Sequence, residues 1–402
     1  MQVGWKGVLV GALALAVVPA NARDTTPPVK SPVVAPGNEP LTPEKMEMLR
    51  SAGAEILFWN QEQRDANFRA MEARFPGRVV KHGTRVHALP RGRQLPIAAA
   101  DVDNFMAAQN VAGLIVIQDG KIRLEKYARG YAANGRWTSF SVAKSFTSTL
   151  VGAAIKDGYI KSVNDPVTTY LPDLAGSGYD GVTVAQLLSM TSGVKWNEDY
   201  FDPNSDVVKM YAKPAPAGID PTVAYMRTLP RASRPGEKWV YKTGETNLIG
   251  VLVTKATGKA LADYLSEKVW KPYGMEQDAF WMVDPSQQEI GGCCLSVSLR
   301  DYARMGLFVL DGGKGAVNPD WFPAATSAKA VIGPGYGYGY QWWTYPEGKF
   351  GAQGIFGQSI FIDPAHRIVI AMSSAWPRAT DQKMSIERAA FQAKLEAAAL
   401  GK

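Results

Sequence analysis

Strand-like patterning in this chain is confined to two stretches far apart in sequence, and what separates them reads as helix. Residues 112–118 (Ala-Gly-Leu-Ile-Val-Ile-Gln) are almost uninterruptedly apolar, Asp119-Gly120 is a two-residue turn, and 121–127 alternates polar with apolar. That is a hairpin whose first strand must be covered on both faces. Strands return at 337–345, 359–363 and 368–374, followed by a helix from about 382 to 400. Between the two stretches Pro166, Pro172, Pro203, Pro214, Pro216, Pro230 and Pro235 break the chain into helical pieces, the clearest at 182–190, 247–257 and 261–270; a further helix, 299–310, stops at Gly312-Gly313. Strands at both ends of a helical middle predict an α/β fold of the α+β type: one antiparallel sheet flanked by helices, with a mainly helical subdomain inserted. The sheet part is about 101–140 and 291–402, and the helical part about 141–290. No internal repeat is present.

The most telling local pattern is Ser141-Val-Ala-Lys144, at the head of the apolar run 145–155. A serine and a lysine three apart at a helix start share one face. There an amine can take the hydroxyl proton, and the free N–H groups of the first turn can receive developing negative charge. Ser192-Gly-Val-Lys195 has the same spacing but follows the apolar stretch 184–190 and precedes Gly193, so it sits at a helix end, where the free groups are carbonyls. Were Ser141 only a cap on a buried helix, Lys144 would be a costly, unexplained core lysine.

Bulk properties set the frame. The 402 residues carry a net charge of +7 with 46% hydrophobic residues, and the lysines and arginines are scattered among acids without a basic run. A solvated basic surface is expected, with no nucleic-acid partner. Residues 1–22 read as an export signal: Lys6, an apolar core at 7–18, and Ala20-Asn21-Ala22 as cleavage site. The core is too short for a bilayer span, which needs ~20 residues. The mature protein is expected to be periplasmic or secreted after cleavage near Ala22, with no integral membrane span. Residues 23–100 read as an N-terminal arm of unassigned role, proline-rich to about Pro43, helical at 42–54 and then basic and irregular. Cys293 and Cys294 are adjacent and are expected as two buried thiols, a strained vicinal disulfide being the alternative.

Taken in order, Ser141-x-x-Lys144, the stretch Leu187-Leu-Ser-Met-Thr-Ser-Gly-Val-Lys-Trp-Asn-Glu198, Tyr241-Lys-Thr-Gly-Glu-Thr-Asn247 and Gly354-Ile-Phe-Gly-Gln358 resemble serine β-lactamases of class C and their relatives: D-alanyl-D-alanine carboxypeptidases, β-lactamase-like esterases and 6-aminohexanoate-dimer hydrolases. The resemblance spans roughly residues 100–400, within a catalytic domain read at 101–402. It implies a β-lactamase/transpeptidase-like fold with Ser141 as nucleophile, Lys144 as base and Tyr241 as proton relay linked to both. Thr243 would add a hydroxyl to that network. Tyr200 falls where the amide-hydrolysing relatives place a second tyrosine, with packing on Trp196 as its other reading. The family's Lys/His-Thr/Ser-Gly strand is represented by Ala352-Gln353-Gly354. Gly354 is kept, so the strand can approach closely and the N–H of Ile355 can join that of Ser141 as an oxyanion donor. The cation is missing, which argues against efficient turnover of carboxylate-bearing penicillin-type substrates.

Rival chemistries lack their parts. The three histidines, His82, His87 and His366, stand outside any nucleophile context, and no serine lies in a Gly-x-Ser-x-Gly elbow. No His/Cys/acid cluster has metal-ligand spacing and no phosphate-cradling glycine loop is present. The expectation is an exported serine hydrolase without metal or cofactor, cleaving a small ester, amide or peptide through an acyl-enzyme. A carboxylesterase or 6-aminohexanoate-dimer-hydrolase-like amidase is favoured over a D-alanyl-D-alanine carboxypeptidase or β-lactamase. The non-enzyme alternative is a penicillin-recognising binding protein, against which the intact Ser141, Lys144 and Tyr241 count.

Overall fold

The structure, a computed structural model, describes residues 41–402; the export signal read at 1–22 lies outside them. Eight strands form the main sheet in the order β3-β2-β12-β11-β10-β9-β8-β7. They are β2 (Val111–Gln118), β3 (Lys121–Tyr127), β7 (Ala330–Gly333), β8 (Tyr336–Tyr338), β9 (Trp343–Thr344), β10 (Phe350–Gly354), β11 (Gln358–Asp363) and β12 (Ile368–Ser374). Every pairing is antiparallel, and β12 joins the C-terminal strands to the N-terminal hairpin through β2. The sheet is thus assembled from the two ends of the chain, as the patterning required. The turn Asp119-Gly120 has both φ values positive, 50° and 73°, the geometry that matches strand twist in a two-residue hairpin.

β2 lacks a polar face because both of its faces are covered. Leu114 and Val116 point to one side, with Ile368, Ile370 and Met372, against the helices Ala99–Ala108 and Gln382–Ala399. Ile115 and Ile117 point to the other, into the main core shared with the helices Ala143–Lys156, Thr243–Thr257 and Leu299–Leu310. Helix ends follow side-chain caps: Ser298 Oγ accepts from Asp301 N at 3.1 Å and Asp381 Oδ1 from Met384 N at 3.0 Å.

A second sheet has the order β1-β5-β6-β4, from β1 (Gly77–Val80), β4 (Trp137–Thr138), β5 (Ala279–Met282) and β6 (Leu295–Val297). It recruits one strand from the N-terminal region and one from the stretch read as helical. The N-terminal helix Pro43–Phe58, capped by Thr42, runs four residues past the expected end. Its Leu49, Ala52 and Ile56, together with Trp59, Phe68 and Phe75, belong to the main core. The stretch read as one helix at 261–270 is an α-helix, Leu261–Leu265, continued by a π-helical segment, Ser266–Trp270. The cysteines also correct the sequence reading: Cys293 and Cys294 are disulfide-bonded to each other, not a pair of thiols. Cys294 has φ of 68°, so the chain turns tightly there and holds both sulfurs on one side. Among the described residues, no helix is long and apolar enough to cross a membrane.

Candidate active site

A 3₁₀ turn, Phe140–Val142, leads into the helix Ala143–Lys156, which is buried along nearly its whole length. Phe140 has φ of 43°, a left-handed conformation that bulky residues rarely adopt and that costs about 1–3 kcal/mol. The turn sets Ser141 at the helix mouth, and the helix repeat brings Lys144 round to it. Lys144 is 1% exposed. Its Nζ lies 3.0 Å from Ser141 Oγ, 3.0 Å from Thr243 Oγ1 and 2.8 Å from the Gly292 carbonyl oxygen. Burial pulls its pKa down to about 7, against a smaller upward pull from Glu198. A neutral amine donates two hydrogens and offers one lone pair. Gly292 can only accept, and the Thr243 hydroxyl donates to Glu198 Oε1, so the lone pair falls to the Ser141 hydroxyl.

Glu198, which the sequence reading did not single out, organises the opposite wall. Its carboxylate accepts from Thr243 N at 2.8 Å, from the Tyr200 hydroxyl at 2.6 Å, and from Thr243 Oγ1 and Trp196 Nε1. Tyr200 therefore binds Glu198 with its hydroxyl while its ring lines the hollows around Ser141. Tyr241 is brought to the same place by the loop before the helix Thr243–Thr257. Its ring centroid lies 5.2 Å from Lys144 Nζ. Burial, and secondarily the charge of Glu198, pushes the phenol well above its usual range, so it stays protonated, and the Ser141 hydroxyl lies close enough to pull its pKa slightly down. Tyr241 is expected to link directly to both serine and lysine; in the structure it faces the amine with its ring, and Thr243 is the hydroxyl that the amine bonds.

On the third side stands β10. A Cβ on Gly354 would come 2.6 Å from the Ser139 carbonyl oxygen and 3.1 Å from Ser141 N, so only glycine lets the strand come so close. Ile355 follows, and Phe356 after it again has positive φ, 58°. The rings of Phe140, Phe356 and Phe68 pack on one another with centroids 4.9–5.2 Å apart, clamping the two left-handed turns that flank Ser141 and Ile355. Gln353 donates to the Tyr345 hydroxyl at 2.8 Å and accepts from Arg388 at 2.6 Å. Arg388, on the helix Gln382–Ala399, is buried over the Trp376 ring, and among the described residues no carboxylate lies within ion-pair distance of it. The strand position itself has no cation, but a helix 35 residues further on brings one next to it.

Two hollows meet at Ser141, Tyr200 and Ile355. One, of about 90 Å³, is largely apolar; the other, of about 320 Å³, is lined by Tyr241, Glu198, Trp343, Gln353, Trp376 and Arg388. Trp343, from the aromatic strand region, stacks on Tyr241 at 5.8 Å. Elsewhere, Asp363, His366 and Glu396 place ligand atoms within 4.8 Å of one another, but Glu396 also takes the Lys349 amine at 2.7 Å.

Comparison with known proteins identifies the family and the fold. Residues 98–394 match the family model described as Beta-lactamase. The chain is 31% identical to a 6-aminohexanoate-dimer hydrolase of Paenarthrobacter ureafaciens over 332 residues, 77% of this chain and 82% of that one. A penicillin-binding protein 4* of Bacillus subtilis is 25% identical over 183 residues, covering 41% of this chain and 37% of that one. Among solved structures, a Bacillus anthracis protein assigned as a 6-aminohexanoate-dimer hydrolase superposes with a TM-score of 0.72 at 21% identity, covering 82% of this chain and 93% of the other. EstCE1, a hydrolase with promiscuous acyltransferase activity, gives 0.57 at 15% identity, covering 70% and 92%. At those identities the structural likeness speaks for the fold.

Proposed function

The chain belongs to the Beta-lactamase family, and from that premise we propose that it is a serine hydrolase that cleaves a small ester or amide through an acyl-enzyme on Ser141. The observation that carries the proposal is the 3.0 Å contact between Ser141 Oγ and an amine whose pKa burial has lowered to about 7. Such an amine is neutral in a useful fraction near pH 7, where an ordinary lysine is not. Ser141 attacks the carbonyl carbon while Lys144 takes its proton. The N–H groups of Ser141 and Ile355 hold the oxyanion. The tetrahedral adduct collapses by breaking the bond to the leaving alcohol or amine, which takes its proton from Tyr241, while the Lys144 ammonium returns to the tyrosine the proton it took from Ser141. Water then repeats the sequence on the ester carbon and restores Ser141. Tyr200 and Thr243, both tied to Glu198, hold the wall beside Ser141 and Lys144 in place.

Residues 101–402 form the proposed catalytic unit, and cleavage of an export signal near Ala22 would deliver it to the periplasm or medium. Short esters and linear amides of the 6-aminohexanoate-dimer kind are the proposed substrates. Arg388 favours, as a second reading, amides whose leaving group ends in a carboxylate, since a buried guanidinium that has no acid partner among the described residues is a ready site for one. Comparing kcat/KM for p-nitrophenyl butyrate, the 6-aminohexanoate linear dimer, nitrocefin and a D-Ala-D-Ala peptide tests this. The ester and the linear dimer should be turned over fastest; a preference for nitrocefin would make the protein a β-lactamase instead.

A further inference from the structure

The two hollows that meet at Ser141 are unequal in chemistry. Tyr241, the proposed proton donor to the leaving group, lines the larger one, with Glu198, Gln353 and Arg388, and not the smaller. That assigns the larger hollow to the leaving group and leaves the smaller for the acyl chain. One wall of the smaller hollow comes from the helix Pro43–Phe58, upstream of the segment 98–394 that matches the family. Leu49, Ala52, Gly53 and Ile56 follow the i, i+3, i+4, i+7 spacing of a single helical face, and all four line it. Across from them lie Met282, Ile290 and the Cys293–Cys294 pair. Arg50, on the same helix, also lines it but has its guanidinium paired with Glu47 at 3.0 Å, so the slot between these apolar walls rewards an apolar stretch of chain.

Resting on the acyl-enzyme reading above, we propose that this slot is the acyl-chain site and that the N-terminal helix is its specificity-determining wall, selecting acyl groups whose first few carbons beyond the carbonyl are plain methylenes. Its volume of about 90 Å³, against the ~150 Å³ of an apolar cavity that accommodates benzene, gives room for ~3–5 carbons beyond the carbonyl. The region read from sequence as an arm of unassigned role thereby sets which substrates fit.

Gly53 offers a clean test. A Cβ there meets nothing nearer than the Val208 carbonyl oxygen at 3.8 Å, so a larger side chain enters the slot without a clash at its root. Replacing glycine inside a helix also favours the helix. The full chain and its Gly53→Leu and Ile56→Ala variants are assayed with p-nitrophenyl acetate, butyrate, hexanoate and octanoate, with thermal unfolding as the check on folding. The hexanoate-to-acetate ratio of kcat/KM should fall about tenfold in Gly53→Leu, the effect of denying a hydrophobic site to ~two methylenes, and the preferred length should shift upward in Ile56→Ala. Ratios unchanged in both folded variants would overturn the acyl-site assignment while leaving the serine hydrolase standing. A response to the alcohol's size in place of the acyl length would exchange the two hollows and overturn it too. A wild-type protein that turns over no ester would overturn the acyl-enzyme reading and the slot together.

Discussion

At Ser141 the chain enters a helix and the lysine three residues on turns inward; at Ser192 it has left a helix, Val184–Leu188, and the lysine turns out. Lys144 is 1% exposed and meets Ser141 at 3.0 Å. Lys195 is exposed to solvent, and the fully buried Ser192 bonds elsewhere, accepting from Val194 N at 3.1 Å and donating to Glu245. Glu245 is itself held by Lys242 at 3.6 Å, both fully buried, so Ser192 serves a structural network. Gly193 follows with φ of 79°, and a Cβ there would lie 2.2 Å from the Ser233 carbonyl oxygen, so the loop is built for close backbone approach. Spacing alone makes neither pair reactive. Helix phase aims the lysine, and burial frees its lone pair.

Substitution breaks the comparison most sharply. Ser141→Ala should reduce turnover on the order of 10⁶-fold, the scale seen when a serine nucleophile is lost. Ser192→Ala should leave kcat/KM almost unmoved while lowering the melting temperature, because Glu245 loses a buried partner. Next in size, Lys144→Ala and Tyr241→Phe should each lower kcat by about 10²–10⁴-fold, the range for a positioned acid or base. Both stand at the Ser141 hydroxyl and would move one proton, so the double variant should be little worse than the poorer single one; losses that multiply would assign them to separate steps.

The smallest effect is on pH. The amine must be neutral to act as base, so kcat/KM should be full above about pH 7 and fall about tenfold per unit below it. Because the Glu198 charge raises the Lys144 pKa, Glu198→Gln should move that limb to lower pH. A limb that stays in place would mean that the inflection belongs to another group.

What could be read from sequence divides along the range of the interactions. Helix Leu299–Leu310 and strand Ile368–Ser374 have the bounds read from pattern alone, because periodicity, a serine cap and a glycine stop are all local. Ser141 and Lys144 were legible for the same reason: one turn of helix joins them. Tyr241 and Thr243 came only from their order in a resemblance. Glu198 and Arg388 gave no signal, since an acid on a loop and an arginine on an amphipathic helix look ordinary until the fold brings them to Thr243, 45 residues away, and to Gln353, 35 away. The small sheet escaped notice because β4 is two residues long and β6 three, too short for alternation to appear.

The central claim, that position in the fold makes Ser141 and not Ser192 the nucleophile, is tested most directly by trapping. The protein is treated with a fluorophosphonate, digested, and the modified serine located by mass spectrometry in wild type and Lys144→Ala. The account predicts a single adduct on Ser141, formed far more slowly once Lys144 is gone. An adduct on Ser192, or one on Ser141 that forms at the same rate without Lys144, would contradict it.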